Sequence, residues 1–243
     1  MASRPEPQAR FDPLAAVRHI DRLRHERVTP APVDPRLLFL RSWQSRRLAR
    51  TYADLLEHPR YRPACQFFLD DLYGPRDFSQ RDHDLTRLYE FVRSLMPEPM
   101  IRPLARSVEL HFFTQALDAR LLDVLVNQLG VTDTLTVSLY AEAYRLCDNY
   151  ADRVRQIEMI VEIGNYLDAV VRVPLAGMAL ALAHGPAIRG GWVEMTEFLE
   201  RGFEAFEHMR GAKPFLAIIQ KREMQALDKI YARDPDPFGF EVE

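Results

Sequence analysis

The chain has 243 residues, 47% of them hydrophobic and 28% charged, which excludes a disordered or fibrous protein and predicts a globular core. Two cysteines, Cys65 and Cys147, stand alone in helix-like contexts, which excludes a disulfide framework and a zinc site with Cys-x-x-Cys spacing. Both are expected to be buried and reduced. The most apolar stretch, 173–187, is shorter than the roughly 20 residues that a membrane span needs.

The net charge of −3 is unevenly distributed along the chain. Residues 1–62 contain 13 arginines against 7 acidic residues, whereas residues 63–243 carry a net charge of −9. Because the chain has 3 lysines against 29 arginines, the arginine-rich front belongs to a bias of the whole sequence. We therefore disfavour nucleic-acid binding through residues 18–50, which would need a strongly positive domain. Residues 1–13 lack the apolar segment of a secretory signal, which favours a cytoplasmic location.

Apolar residues recur at helical spacing, and prolines and glycines separate the periodic segments. Residues 1–12 are polar and are expected to be disordered. Asp34 followed by Pro35 predicts a strong helix start. Helices are predicted at 13–27, 35–57, 60–73, 78–95, 100–129, 135–147, 151–171, 192–209 and 214–231, with a buried continuation after 174 and an extended tail at 233–243.

These elements predict an all-α fold, a single-domain bundle of about nine helices over 13–232. Within it, arginine-rich helices at 13–58 precede a core unit at 60–232. The helix predicted at 100–129 is apolar on two opposite faces, so we expect it to be central and covered on both sides.

The stretch 65–82 is expected to form a corner between two helices. A glycine and a proline at 74 and 75 end the first helix, and a capping box at 79–82 starts the next. Phe67 falls outside the apolar arc of the first helix, so it is either covered by another element or part of a contact surface. The binding candidates at this corner are Phe67, Asp71, Tyr73, Arg76, Asp77 and Arg81.

Sequence motifs of catalysis and cofactor binding are absent. Neither Glu-x-x-His nor His-Glu-x-x-His occurs, which argues against a di-iron or zinc site in a helical bundle. There is also no phosphate-binding loop and no Gly-x-Ser-x-Gly nucleophile motif. We therefore predict no metal, no cofactor and no catalytic residue.

Four polar residues expected inside the bundle are candidates for a pocket: Glu109, His111, Glu162 and Asp168. A buried acid either pairs with a base or shifts its pKa upward, so such positions are enriched at functional sites. Asp168 and Arg172 are one helical turn apart, so a structural ion pair is the simpler interpretation, and we favour it. The alternative is an interior pocket for a small, largely apolar ligand.

Four segments of the chain are distinctive: FFLDDLYGPRDFSQRD (67–82), YAEAYR (140–145), RQIEMIVEIG (155–164) and FLERGFEAFEHMRGA (198–212). In these segments the chain resembles an uncharacterised family of bacterial proteins. The resemblance spans about residues 60–231 and implies one unit with the arginine-rich front as a variable addition. It brings no established activity, cofactor or catalytic residue.

The sequence favours a non-enzymatic helical binding or adaptor protein. Its surface near the corner at 67–81 would be recognised by a protein partner or by a second copy of the chain. The alternative, from another functional class, is an enzyme or sensor with an interior pocket for a small, largely apolar ligand.

Overall fold

A computed structural model of the protein describes residues 34–72, 98–178, 180–181 and 193–242. Every regular element in these ranges is a helix, which confirms the predicted all-α, single-domain class. The segment 1–12 and the helices predicted at 13–27 and 78–95 lie outside the described residues.

The described residues form eight named helices, two of which continue into a π-helical segment. These are α1 (Pro35–Thr51), α2 (Ala53–Glu57), α3 (Arg62–Phe67, with π turns at Phe68–Leu72), α4 (Glu98–Asp123, with π turns at Val124–Gln128), α5 (Val137–Cys147), α6 (Tyr150–Val170), α7 (Val193–Met209) and α8 (Lys213–Tyr231). A further helical turn covers 174–178.

Local sequence accounts for several helix ends. Asp34 Oδ1 accepts a hydrogen bond from the Arg36 amide at 2.9 Å, and Pro35 occupies the first turn of α1. Thr136 caps α5 in the same way through its hydroxyl. Gly130 follows the π turns of α4 and has a φ of 67°. Glycine is favoured at this position because it adopts the left-handed backbone conformation with the least strain.

The helix predicted at 35–57 is broken at Tyr52, whose φ of −113° and ψ of 21° separate α1 from α2. The Tyr52 hydroxyl donates to Glu223 Oε1 of α8 at 2.7 Å. The break thus accompanies a contact with a helix 171 residues away. Local periodicity carries no information about such a contact.

The most central described helix is α6, which packs along both α4 and α8 and also contacts α7. The predicted central helix, α4, packs along α6 and also contacts α1 and α5. It buries Val108, Leu117 and Leu121, whereas Ala116 and Ala119 are exposed. Because an exposed alanine costs little, the alanines made the apolar pattern of α4 look wider than its packed face.

Buried side chains form two hydrophobic clusters. The first, the Trp43 core, is built by α1, α4, α5, α6 and α8 and contains the Trp43–Tyr140 ring pair, with centroids 4.3 Å apart. The second, the Phe215 core, is built by α1, α2, α3, α7 and α8 around Phe215 and Phe206, both 0% exposed. Helices α1 and α8 contribute to both cores.

The tail after α8, predicted to be extended and loose, folds back over α1. The Phe238 ring lies below the Arg47 guanidinium, 5.1 Å from the centroid, and 6.4 Å from the Trp43 ring. Val242 is buried in the same core. The tail is held because its apolar side chains complete the Trp43 core, a contact that its turn-rich sequence did not indicate.

The cysteine prediction is confirmed, since Cys65 and Cys147 are both free and buried. Burial raises the pKa of the Cys65 thiol to about 12, so that thiol stays protonated at neutral pH. In the part of the chain that the structure describes, no helix combines the length and the hydrophobicity that crossing a bilayer requires.

Candidate functional site: a polar cavity between the two cores

Phe67, predicted to be either covered by another element or part of a contact surface, is 7% exposed and belongs to the Phe215 core. Its ring lies 5.2 Å from that of Phe198 on α7. A Cβ at Gly202, also on α7, would approach the Phe67 ring to 2.8 Å, so the glycine permits this contact. The contact-surface interpretation of Phe67 is therefore wrong, because α7 covers the side of α3 that lies outside the apolar arc.

Asp71, the second predicted surface residue, is 8% exposed. Its Oδ1 accepts a hydrogen bond from Arg201 Nη2 of α7 at 2.7 Å. Asp71 therefore joins two helices and does not form part of an open surface. The remaining corner candidates lie outside the described residues: Tyr73, Arg76, Asp77 and Arg81.

Two of the four predicted pocket residues meet at the protein surface. Arg106 Nη1 donates to Glu109 Oε2 at 2.7 Å, and its Nη2 lies 3.4 Å from Glu162 Oε1. Arg155 approaches the other oxygen of Glu109 at 3.2 Å. We call these four residues the outer ion-pair cluster; it joins α4 to α6.

The other two predicted pocket residues have structural partners. His111 Nε2 lies 2.8 Å from Gln115 Nε2 on the same helix. Asp168 is buried; its Oδ2 accepts from Arg172 at 2.6 Å and its Oδ1 from the Ala212 amide, before α8, at 3.0 Å. The favoured ion pair is thus confirmed. None of the three cavities given for the described residues is lined by Glu109, His111, Glu162 or Asp168, so a pocket built from these four side chains stays a prediction.

A different cavity, of about 100 Å³, lies between the Trp43 and Phe215 cores. Its lining comes from α1, α3, α4, α5, α6 and α8 together with Tyr52. The apolar lining residues are Leu48, Cys65, Phe68, Leu69, Ile157, Ile160, Phe215 and Ile219. The polar lining residues are Gln44, Arg47, Tyr52, Thr114, Asp118, Tyr140, Tyr144, Arg153, Gln156 and Glu223.

Arg47 and Glu223 form an ion pair in this cavity. Arg47 Nη1 donates to Glu223 Oε1 at 2.7 Å and its Nη2 to Oε2 at 2.9 Å, in a bidentate arrangement. The Tyr52 hydroxyl donates to the same carboxylate. Glu223 is thus saturated by donors, although Arg47 Nε is buried without a hydrogen-bond partner.

Arg153 differs from Arg47, the other arginine of the cavity, in its hydrogen-bond partners. It is 3% exposed, and no carboxylate of the described residues lies within ion-pair distance of it. Its Nη1 donates to Gln156 Oε1 at 3.1 Å, its Nη2 to the Leu117 carbonyl at 3.3 Å, and its Nε has no partner. The guanidinium stacks on the Tyr144 ring, 4.4 Å from the centroid.

Asp118 is the nearby acid, and it is 4% exposed. Its Oδ1 accepts a hydrogen bond from Gln44 Nε2 at 3.2 Å. Burial raises the pKa of Asp118, while the positive charge of Arg153 partly opposes that rise. The environment of Asp118 therefore favours the neutral carboxylic acid more than water does.

Most residues of this cavity were not predicted from the sequence. The available signal was a repeated placement of polar residues three or four positions apart beside an apolar stripe. Tyr140 and Tyr144 on α5 follow it, as do Arg153 and Gln156 on α6. The groups that surround Asp118 come from α1 and α6 and have no signature in local sequence.

The cavity offers hydrogen-bond donors and one buried positive charge. Within the described ranges, no group of three or more His, Cys, Asp or Glu side chains is placed to hold a metal ion. The arrangement of Arg153 and the two tyrosines suits a small polar or anionic molecule.

The chain belongs to the family described as Domain of unknown function (DUF8198), whose model matches residues 23–237. This agrees with the resemblance to an uncharacterised family and extends it into the arginine-rich front. No curated protein and no solved structure matches the chain.

Proposed function

We propose that the protein binds a small molecule in the cavity between its two cores. The observation that carries this proposal is the position of Arg153, a buried guanidinium without an ion-pair partner among the described residues, in the wall of a 100 Å³ cavity. Burying a charge that has no partner costs roughly several kcal/mol. A bound molecule with matching acceptors would offset that cost.

The cavity itself also favours a binding role. A cavity destabilises a core, by about 24 cal/mol per Å³ where it was created by truncation of a side chain. This cavity lies where six helices meet, and its polar groups come from five of them together with Tyr52. Polar groups that converge on a concave apolar site are the usual pattern of a ligand pocket.

Binding is a better description than catalysis. Cys65 lines the cavity, but its raised pKa of about 12 leaves little thiolate at neutral pH. Glu223 is held by Arg47 and Tyr52, so its oxygens are not available as a general base. We therefore assign no reaction to the cavity.

The adaptor hypothesis has lost part of its basis, because Phe67 and Asp71 are buried. A protein-binding surface at the corner remains a prediction for Tyr73, Arg76, Asp77 and Arg81.

The proposal is tested with an Ile160→Phe variant, which places a larger side chain at a half-buried position of the cavity wall. Wild type and variant are screened by ligand-observed NMR against a mixture of neutral, anionic and cationic fragments of up to about seven non-hydrogen atoms. The wild type is expected to bind at least one fragment, and Ile160→Phe to lose that binding.

The matched control is Leu146→Phe, which adds the same ring at a 41% exposed position on α5. This variant is expected to bind like the wild type, and circular dichroism checks that both variants fold. Absence of binding for every fragment, or equal binding by Ile160→Phe, overturns the proposed function.

A further inference from the structure

We propose that the ligand of this cavity is a small carboxylate with a short apolar tail, whose carboxylate group binds Arg153 and Tyr144. This inference rests on the proposed function and adds the chemical class of the ligand. Three independent features of the cavity support it: its charge balance, its free hydrogen-bond donors and the distribution of its polar and apolar walls.

The charge balance of the cavity depends on Arg153, a buried guanidinium with no carboxylate of the described residues within ion-pair distance. Arg47 and Glu223 cancel each other through two parallel hydrogen bonds. Asp118 accepts from the neutral Gln44, is not within ion-pair distance of Arg153, and is shifted by burial towards its protonated form. Arg153 is then the charge that an anionic ligand would balance.

Two hydrogen-bond donors of the cavity have no acceptor among the described residues. One is on the Arg153 guanidinium, whose Nη1 and Nη2 carry two protons each but donate one hydrogen bond each, to Gln156 and to the Leu117 carbonyl. The other is the Tyr144 hydroxyl, which accepts from Tyr140 at 3.0 Å and therefore keeps its own proton for another acceptor. Because the Arg153 guanidinium lies on the Tyr144 ring, these donors belong to neighbouring side chains. Two donors match the two oxygens of a carboxylate.

The walls of the cavity are polar at one end and apolar at the other. A smaller cavity of about 40 Å³ adjoins it and shares Ile157 and six polar residues: Arg47, Tyr140, Tyr144, Arg153, Gln156 and Glu223. These six polar residues therefore mark the end that faces the Trp43 core. The residues that line only the larger cavity are mostly apolar, and they include Cys65, Phe68, Leu69, Phe215 and Ile219.

This arrangement orients the ligand. A carboxylate at Arg153 directs its tail towards the Phe215 core, where an apolar group is favoured. The volume limits the size of the tail, because an engineered cavity of about 150 Å³ takes benzene and this one is smaller. A branched acid of about six non-hydrogen atoms is the expected size class.

The test compares two probes of the same shape, isobutyrate and isobutyramide, by isothermal titration calorimetry with the full chain at pH 7. Isobutyrate carries the carboxylate, whereas isobutyramide is neutral. Isobutyrate is expected to bind at least about tenfold more tightly, which corresponds to 1.4 kcal/mol. Sodium acetate at the same ionic strength, which has the same carboxylate but a tail of a single methyl group, reports how much the apolar tail contributes.

Two variants locate the carboxylate. Arg153→Met is expected to abolish the preference for isobutyrate, and Tyr144→Phe, which keeps the ring under the guanidinium, is expected to weaken isobutyrate binding several-fold. The control is Arg155→Met, which removes one positive charge from an exposed position of α6 and is expected to retain the preference. Because loss of Arg153 can impair folding, circular dichroism accompanies each titration, and Tyr144→Phe alone decides the assignment if Arg153→Met does not fold.

Failure of this inference is distinguishable from failure of the proposed function. Equal or tighter binding of isobutyramide, or no binding of isobutyrate at all, overturns the carboxylate assignment. The fragment screen with Ile160→Phe separately decides whether the cavity binds any small molecule. Unchanged isobutyrate binding by Tyr144→Phe together with Arg153→Met would place that anion outside this cavity and also overturn the assignment.

Discussion

The inner cavity and the outer ion-pair cluster both include residues of α4 and α6, although the cavity is also lined by α1, α3, α5 and α8, and the two regions differ in burial. In the outer cluster, Arg106 and Glu109 keep 26% and 27% of their side chains exposed, and each charge has an opposite partner and access to water. In the cavity, Arg47 and Glu223 keep 9% and 14%, and Arg153 has no carboxylate partner among the described residues.

Because of this difference in burial, the charged residues of the two regions should contribute differently to stability. Exposed pairs along and between helices contribute little to stability, because water screens them. Buried groups depend strongly on each other, because removal of one leaves the other desolvated and unpaired. The loss caused by a substitution should therefore increase with the depth of the ion pair that it breaks.

The largest loss is expected for Glu223→Gln. The variant keeps the shape of the side chain but leaves Arg47 buried without its counter-charge, and it weakens the contact with Tyr52. Breaking a buried pair in this way costs about 3–5 kcal/mol. Urea unfolding followed by circular dichroism measures the free energy of unfolding.

The matched control is Glu162→Gln in the outer cluster, which should cost less than about 1 kcal/mol. A double variant, Arg47→Met with Glu223→Met, should recover much of the loss, because no charge remains buried. Equal losses for Glu223→Gln and Glu162→Gln would contradict the distinction between the two regions.

An intermediate loss is expected for Asp71→Asn. Asp71 is buried, but its partner Arg201 keeps 46% of its side chain exposed. Water can therefore solvate the Arg201 guanidinium after the charge of Asp71 is removed. A loss of about 1 kcal/mol is expected. The exposed neighbour Asp70 supplies the control, since Asp70→Asn should leave the urea midpoint nearly unchanged. A midpoint unaffected by Asp71→Asn would mean that its pair with Arg201 does not stabilise the packing of α3 on α7.

A small loss is expected for Arg106→Met. Arg106 lies between Glu109 and Glu162 at the surface, so the change should cost less than about 1 kcal/mol. The loss should shrink further when the ionic strength is raised from 0.01 to 1 M, because the Debye length falls from about 30 to about 3 Å. A salt-independent loss would show that the contribution of Arg106 is packing of its aliphatic stem.

The last variant, Asp118→Asn, is expected to raise the free energy of unfolding, whereas the variants above lower it. Burial raises the pKa of Asp118 above its ordinary 3.8, so the native state binds more protons than the unfolded state between the two pKa values. The free energy of unfolding of the wild type should then fall as pH rises through the folded pKa. Asp118→Asn should remove that fall and be the more stable protein at neutral pH.

The check is a series of urea titrations of wild type and Asp118→Asn from pH 3 to pH 8. The stability difference should grow with pH in favour of the variant. A wild type that gains on the variant as pH rises would mean that the attraction of Arg153 and the hydrogen bond from Gln44 outweigh burial.

The helices were predictable because their signals are local. The cap at Asp34, the glycine at 130 and the apolar stripes of α6, α7 and α8 each act within a few turns, and each is present in the structure. The ion pair between Asp168 and Arg172 was predictable for the same reason, since its partners are four residues apart.

The cavity was not predictable because its contacts are distant in sequence. Arg47 and Glu223 are 176 residues apart, and Gln44 and Asp118 are 74 apart. The burial of Phe67 depends on Gly202, whose missing side chain makes room for the ring. A helical wheel identifies the side of a helix that differs from the others, but it does not identify the helix that covers that side.

The packing of the tail on the Trp43 core has a consequence for biosynthesis. Trp43 leaves the ribosome about 200 residues before Val242, which at 5–20 residues per second is roughly 10–40 s of translation. During that interval the apolar side of α1 lacks part of its cover. Nascent chains are therefore expected to rely on chaperones at this stage, and slowing translation near residue 230 should increase aggregation more than slowing it near residue 150.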